Sequence, residues 1–267
     1  MWRVRADARE DVEDWLAVES PLELRIARHG GDGATRSLSV TMRTPGHDAE
    51  LALGFLFAEG LIDAADEVAV LRPCADGALR AELTRWREER ITLLGRSAVT
   101  HAGCGACGKQ SIAAVTRITE GRSVGGGLRA VAAALMQLPV QLRAAQAAFE
   151  ATGGLHACAI FDARGALLAL REDVGRHNAF DKLIGHALAA GWLPLEDHVV
   201  LLSGRASFEL VQKAVMAGVG LVAAIGAPSS LAVDLARAAN VTLVGFLAAD
   251  RLNVYSGPER IVHEEAA

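Results

Sequence analysis

His198-Val199-Val200-Leu201-Leu202, then Ser203-Gly204-Arg205-Ala206, then Ser207 to Ala217, reads as a strand, a polar turn and a helix in succession. The unit comes again at once. Leu221 to Ile225 is strand-like, Gly226-Ala227-Pro228 is turn chemistry, and Ser229 to Ala239 is helical, with Val241 to Phe246 as a further strand. The strands are apolar without alternation, as expected where both faces of a sheet are covered. Strand and helix in alternation predict an α/β fold with a core sheet and helices on its faces.

Working outward, Leu155 to Phe161 and Ala166 to Leu170 flank Asp162-Ala163-Arg164-Gly165, a hairpin turn, and Arg176 to Ala190 is helical, ending at Gly191. Upstream, Leu128 to Leu138 and Pro139 to Ala151 read as two helical segments, with Pro139 at the first position of the second. The first half is β-rich. Leu22 to Ala27 and Ser37 to Arg43 are strand-like around His29-Gly30-Gly31-Asp32-Gly33. His47 to Leu61 is a helix with Asp48 as N-cap and Gly60 just past its end. Val68 to Arg72, Leu79 to Leu83 and Ile91 to Leu94 are short strands, and Gly95 to Gly108 fits no period. The organisation expected is a smaller β-rich N-terminal subdomain over 1–125, carrying a cysteine loop at 95–108, and an α/β core over 126–267.

Composition narrows the function. In 267 residues, 51% hydrophobic, there is ample apolar material for a core. The formal net charge of −5 and only 12 aromatic residues (7 Phe, 4 Trp, 1 Tyr) disfavour nucleic-acid and anionic-membrane binding. Val215 to Ala227, the longest apolar and glycine run, is shorter than the ~20 residues of a membrane span. Met1 to Glu10 is charged and lacks an apolar stretch, so no secretory signal is expected, and the 4 cysteines are expected to be reduced. Of the 27 basic residues only Lys109, Lys182 and Lys213 are lysines, and each lies within or beside a polar constellation.

The sharpest constellation is Cys104-Gly105-Ala106-Cys107-Gly108-Lys109. A thiol moves sulfur, electrons or acyl groups as thiolate, and Lys109 favours that charge while the glycines leave both sulfurs accessible. His101 is the nearest proton carrier among the histidines; His47, His177 and His186 read as surface or capping groups. Two other readings of the cysteine pair stand beside this one: half of a zinc site completed by His156 and Cys158, and a thioredoxin-like dithiol. The second constellation is a set of polar turns: Arg171 to Asn178 with Gly175, Arg176 and His177, then Ser203, Gly204, Arg205 and Ser207, then Gly226 to Ser230. Were the strands parallel, these turns would share the carboxyl edge where α/β sheets bind ligands, with helix N-termini and guanidinium forks suited to phosphate. No GxGxxG or Walker pattern is present, so an ordinary NAD or ATP site is not indicated.

These residues resemble a known family. Arg43-Thr44-Pro45-Gly46 with Glu50 to Leu56 and Glu59-Gly60 is similar to the N-terminal signature of the formate dehydrogenase accessory sulfurtransferases, the FdhD family. Cys104 to Lys109 matches that family's CGxCGK loop, and Thr152 to His156, Arg171 to Ala179, Gly204 to Lys213 and Ala227 to Ala232 resemble its later signatures, in order, from about Glu19 to Ile261. The resemblance implies a cytoplasmic homodimer with a cytidine-deaminase-like core. It implies a sulfur carrier that takes persulfide sulfur from a cysteine desulfurase. The acceptor would be the molybdenum or tungsten bis-(molybdopterin guanine dinucleotide) cofactor required by formate dehydrogenase, bound as substrate, with no tightly held metal of the carrier's own. Carried over by motif, Cys104 bears the persulfide, Cys107 is its partner, and the cofactor contact falls on Phe246, Leu247, Ala248, Ala249, Asp250 and Arg251. The chain departs from the family pattern at His47 and at Ala248-Ala249, where Arg-Gly is common. Two further readings are a non-catalytic cofactor-insertion protein and a zinc-stabilised interaction protein.

Overall fold

The computed structural model describes residues 1–95 and 119–263. Strands β1 (Trp2–Val4) and β2 (Arg9–Asp11) form a small antiparallel pair with every residue exposed. A mixed sheet follows, built from β3 (Ser20–Arg28), β4 (Thr35–Arg43), β5 (Val68–Pro73) and β6 (Leu79–Leu83) in the order β4-β3-β6-β5. Helix α1 (Asp48–Ala58) leaves β4, and α2 (Glu88–Gly95) follows β6. Beyond residue 119 come β7 (Ala130–Val131), α3 (Ala132–Ala145), α4 (Ala147–Thr152), β8 (His156–Phe161), β9 (Leu167–Asp173) and α5 (Arg176–Ala189). Then β10 (Val199–Leu202), α6 (Phe208–Met216), β11 (Leu221–Ala224), α7 (Ser230–Ala238) and β12 (Thr242–Gly245) alternate, and β13 (Asn253–Ser256) and β14 (Ile261–Val262) end the described chain. Among the described residues no helix is long and apolar enough to cross a membrane.

The six-stranded sheet has the order β13-β12-β11-β10-β8-β9, with β10, β11 and β12 parallel and β8 antiparallel to both β9 and β10. Successive side chains of a strand point to opposite faces, and here both faces are apolar. Cys158, Ile160, Val200, Leu202, Val222 and Ala224 face one core, shared with α1, α5, α6 and α7. Ala157, Phe161, Val199, Leu201, Leu221 and Ala223 face the other, against Leu135, Leu138 and Leu142 of α3. This is the α/β architecture, with helices on both faces, that the unalternating strands predict. The first core also takes in Ile26, Leu56 and Leu83 from the N-terminal half, so the two halves share buried side chains.

Four expectations are corrected. Ile91 to Leu94 is helical, within α2, rather than a strand. Four residues, three of them apolar, cannot separate a buried helix turn from a strand, and Glu88 and Glu89 in the first turn, with Thr92 donating to Glu88 at 3.2 Å, favour the helix. Pro139 lies inside α3 rather than opening a second helix, because buried Leu135, Leu138 and Leu142 continue one apolar stripe across it. The break comes at Gln146 (φ −82, ψ 73). Asp48 is not the N-cap of α1: its carboxylate is taken by Arg43 at 2.8 and 2.9 Å, and His47 (φ 57) occupies the cap position. Finally, β9 runs on through Arg171, Glu172 and Asp173, opposite Cys158, Ala157 and His156, so the polar turn starts three residues later than its polarity suggests. Gly60 does follow α1 with φ 68, as expected.

The packing of α1 on α5 depends on two glycines. A Cβ on Gly54 would stand 1.8 Å from the Asp181 carbonyl oxygen, and one on Gly185 would stand 1.8 Å from the Glu50 carbonyl oxygen. Neither clash can be relieved by turning a side chain, since both neighbours are backbone. Gly54→Ala or Gly185→Ala should therefore destabilise the fold by about 3 kcal/mol or more, roughly 6–12 °C in thermal midpoint for a chain of this size. Gly127→Ala, with nothing within 4 Å of the added carbon, should leave the midpoint nearly unchanged. Thermal denaturation of the three variants checks this.

Candidate functional site: the carboxyl edge of the sheet

Since β9, β10, β11 and β12 all run the same way, their carboxyl ends meet at one edge, where β8 begins with His156. The turns after them are stitched together by backbone bonds. Gly226 N–H donates to Gly204 at 2.9 Å, Ser229 N–H to Ala206 at 3.0 Å, and Phe246 N–H to Gly226 at 3.1 Å, with Ala206 and Pro228 in a parallel bridge. Gly226 is needed for this close approach, since a Cβ there would lie 3.0 Å from the Gly204 carbonyl oxygen.

Gly175 is the N-cap of α5, and Arg176 and His177 are its first residues. Ser203 Oγ accepts the Ala157 N–H at 2.9 Å. Gly204 faces His156, and Arg205 is exposed. Ser207 is the N-cap of α6 but makes no side-chain cap bond, and its buried Oγ lacks a hydrogen-bond partner among the described residues. Ser229, by contrast, caps α7 by accepting the Ala232 N–H at 3.3 Å. Phe246 is exposed with φ 52, a left-handed conformation costly for an aromatic residue. Leu247 is buried; Ala248, Ala249, Asp250 and Arg251 form a turn closed by Ala248 N–H to the Arg251 carbonyl at 2.9 Å. Cys104, Cys107, Lys109 and His101 lie outside the described residues.

The edge rests on a buried polar network that the sequence did not reveal. Asp173, fully buried, takes Lys182 Nζ at 2.7 Å and the Thr44 N–H at 3.1 Å on one oxygen, and the Gly175 N–H at 2.8 Å on the other. Lys182 also donates to the Thr44 carbonyl at 2.8 Å. Asn178 donates to the Met42 carbonyl at 2.7 Å and accepts from Thr41 Oγ at 3.1 Å, and the Val174 N–H reaches Thr44 Oγ at 3.1 Å. Two residues before Asp173 on the same strand, Arg171 forks onto Glu50 of α1 at 2.5 and 2.7 Å. Burial alone would raise the Glu50 pKa, but the Arg171 hydrogen bonds and charge hold it below the ordinary value. Thus Arg43-Thr44 and Glu50 are clamped to Arg171, Asp173 and Asn178. A second buried pair, Lys213 to Asp181 at 2.6 Å, joins α6 to α5. Lys182 and Lys213, singled out in the sequence by their rarity, are thus structural cations.

Histidine and cysteine chemistry at the edge is set by burial. Desolvation, with the charges of Lys213, Arg176 and His156, pushes the His177 pKa down to about 3, so His177 is neutral rather than a surface group. Burial and then Arg176 lower His156 as well. Cys158 is buried in the core with its thiol 3.9 Å from the Arg176 carbonyl, and burial raises its pKa far above the ordinary thiol value. Its sulfur belongs to the apolar core shared with Ile160, Val200 and Leu202. Among the described residues no group of three or more His, Cys, Asp or Glu could hold a metal ion. Beside the edge lies a cleft of about 470 Å³, lined by Arg143, Gln146, Phe149, His156, Ser203 and Ile225 among others.

Comparison with known proteins matches residues 17–262 to the model of the FdhD/NarQ family. Proteins named sulfur carrier protein FdhD are similar over nearly the whole chain. The one from Nocardia farcinica is 48% identical, covering 93% of this chain and 88% of its own. The one from Mycolicibacterium paratuberculosis is 49% identical, covering 92% and 91%. A crystal structure from Desulfotalea psychrophila, described as a formate dehydrogenase accessory protein, has the same fold, with a TM-score of 0.75, 24% identity, and coverage of 98% of this chain and 97% of its own.

The depressed His177 pKa has a signed consequence. Between about 3 and the ordinary value of 6.5 the unfolded chain binds a proton that the folded chain refuses, so this residue's contribution to stability falls as pH falls through that window. From pH 7 to pH 5 the wild type should lose about 2 kcal/mol relative to His177→Gln. Denaturant unfolding of both proteins at the two pH values measures the difference; an unchanged difference would mean that His177 is protonated in the folded protein.

Proposed function

The chain belongs to the FdhD/NarQ family, and from that premise we propose that it is a sulfurtransferase. It takes persulfide sulfur from a cysteine desulfurase and passes it to the molybdenum or tungsten bis-(molybdopterin guanine dinucleotide) cofactor that formate dehydrogenase requires. It works in the cytoplasm as a homodimer. The observation that carries the reading is the Cys104-Gly105-Ala106-Cys107-Gly108-Lys109 loop in a chain matched to the family across 17–262. Support of another kind comes from the carboxyl edge, where Arg176 and Arg205 flank helix N-termini and neutral histidines, a setting that favours phosphate.

In the first step the Cys104 thiolate attacks the outer sulfur of the desulfurase persulfide. A new S–S bond forms at Cys104 as the donor's S–S bond breaks, and the donor cysteine leaves as thiolate, so nothing is oxidised or reduced overall. In the second, the Cys107 thiolate attacks the Cys104 sulfur and hydrosulfide departs to the metal. The sulfane sulfur is reduced, the two cysteines become a disulfide, and a dithiol reductant restores them. Lys109 steadies the thiolate charge. At the edge, Gly175, Arg176, His177, Ser203, Gly204, Arg205 and Ser207, with Phe246 to Arg251, hold the nucleotide ends of the substrate.

The test is mass spectrometry of the intact protein and its peptides after incubation with a cysteine desulfurase and cysteine. A sulfur-mass adduct on the peptide holding Cys104 and Cys107, absent in Cys104→Ala, is expected, together with loss of formate dehydrogenase activation in that variant. A Cys104→Ala protein that still activates the dehydrogenase would overturn the assignment and leave a cofactor-insertion role.

A further inference from the structure

Ahead of β3 the chain carries an arm that the site does not use. Residues 1–16 stand outside the stretch matched to the family, 17–262. The β1–β2 hairpin is closed on itself. The Met1 ammonium group donates to the Val12 carbonyl at 2.7 Å, the Met1 carbonyl accepts the Val12 N–H at 2.9 Å, and the Arg9 guanidinium lies 3.9 Å from the Trp2 ring centroid. In the stretch that follows, Trp15, Leu16 and Val18 are turned to solvent, with exposures of 77%, 80% and 62%. Ala17, between them, is half-buried and leans on the body of the protein: a Cβ on Gly154, in the loop after α4, would stand 3.6 Å from the Ala17 Cβ. Trp15 and Leu16 are thus held out beside the carboxyl edge, next to the cleft that Gly154 and His156 line.

Contiguous apolar side chains left so exposed mark an interaction surface, and tryptophan is the residue type most often central to one. Charge decides what covers it. From Glu10 to Leu24 there is no lysine or arginine, while Glu10, Asp11, Glu13, Asp14, Glu19 and Glu23 are acidic. A hollow of about 510 Å³ between Met1 and Asp11 to Trp15 sets carboxylates beside the indole, a setting for a lysine or arginine side chain. A second copy of this chain, with a net charge of −5, is a poor electrostatic match for such an arm. The proposed acceptor is a good one. A protein that takes in a cofactor ending in guanine dinucleotides must line its entrance with cationic groups to receive the phosphates. We propose that the arm is a docking handle for the acceptor formate dehydrogenase. Trp15 and Leu16 enter an apolar pocket at the mouth of its cofactor site, and Asp11, Glu13 and Asp14 pair with basic residues around that pocket. Docked there, the acceptor's entrance faces the carboxyl edge from which the cofactor leaves. The inference rests on the proposed function and adds the surface by which the acceptor is met.

Surface plasmon resonance of the full chain on purified apo-dehydrogenase tests the handle. Trp15→Ala should weaken binding roughly tenfold or more. Glu13→Gln combined with Asp14→Asn should slow association and flatten its dependence on salt. The three side chains are exposed, so thermal midpoints should match wild type, and persulfide loading by the desulfurase should be unchanged. Variants that bind the dehydrogenase as wild type does would overturn the inference and leave the proposed function standing. So would a Trp15→Ala protein that binds the dehydrogenase normally but loads poorly from the desulfurase, which would make the arm a donor contact. A Trp15→Ala protein that binds normally but falls from dimer to monomer in sedimentation would give the arm to a second copy and overturn the inference too. If wild type does not bind the dehydrogenase, the inference fails; if it does not activate it either, the proposed function fails as well.

Discussion

One buried carboxylate orders the molecule. Asp173 is fully out of water at the end of β9, and its two oxygens receive Lys182 Nζ and backbone N–H groups from Thr44 and Gly175. A buried ion pair adds little net stability when intact, but removing one partner leaves a charge that nothing balances, at a cost of about 3–5 kcal/mol. Such a pair therefore acts by excluding every arrangement that separates its partners. Here the partners come from the end of β4, the end of β9 and the face of α5. Once they are joined, α1 must lie against α5, and the glycine pair Gly54 and Gly185 lets the two backbones come close enough to do so. The turn that begins at Val174 is then fixed beside the other turns of the carboxyl edge.

The same constraint suits lysine at these two positions, in a chain with only one other lysine. A guanidinium brings five N–H donors in a rigid fork, and burying it leaves several to be satisfied. An ammonium is a compact charge that fits a narrow slot. Lys182 divides its donors between a carboxylate and a carbonyl; Lys213 meets Asp181 and stands 5.8 Å above the Phe55 ring. Burial pushes the Asp181 carboxyl up to about 6 despite Lys213, while for Lys213 the opposing pull of burial is outweighed by Asp181 and Glu59, which hold it above its ordinary value.

Much of the fold is legible in the sequence because it depends on local patterns. The unalternating strands Val199 to Leu202 and Leu221 to Ala224 are buried on both faces, and the turns after them do meet at one edge. Legibility fails where distant residues decide. Pro139 stays inside a helix because leucines on either side of it pack on the sheet, and Arg171 to Asp173 are strand because β8 pairs with them. The Arg43-Thr44 and Arg171 to Asn178 stretches are visible as motifs, but not as partners: Thr44 and Asp173 are 129 residues apart in sequence. The stack of Arg143 on Phe149 left no signal, since the two residues stand on different helices and each reads as an ordinary surface side chain. Sequence alone marks the cysteine loop, because thiol, glycine and lysine in that order have few structural uses.

The most direct measurement of the claim that the Asp173–Lys182 pair, through its bonds to Thr44, joins the two halves is amide hydrogen exchange in wild type and Lys182→Met, which removes the charge but keeps the length of the side chain. The account predicts that protection falls together in three places distant in sequence: β4 from Thr35 to Arg43, helix α1, and the turn from Val174 to His177. Faster exchange confined to α5 around residue 182, with β4 and α1 as protected as before, would contradict it.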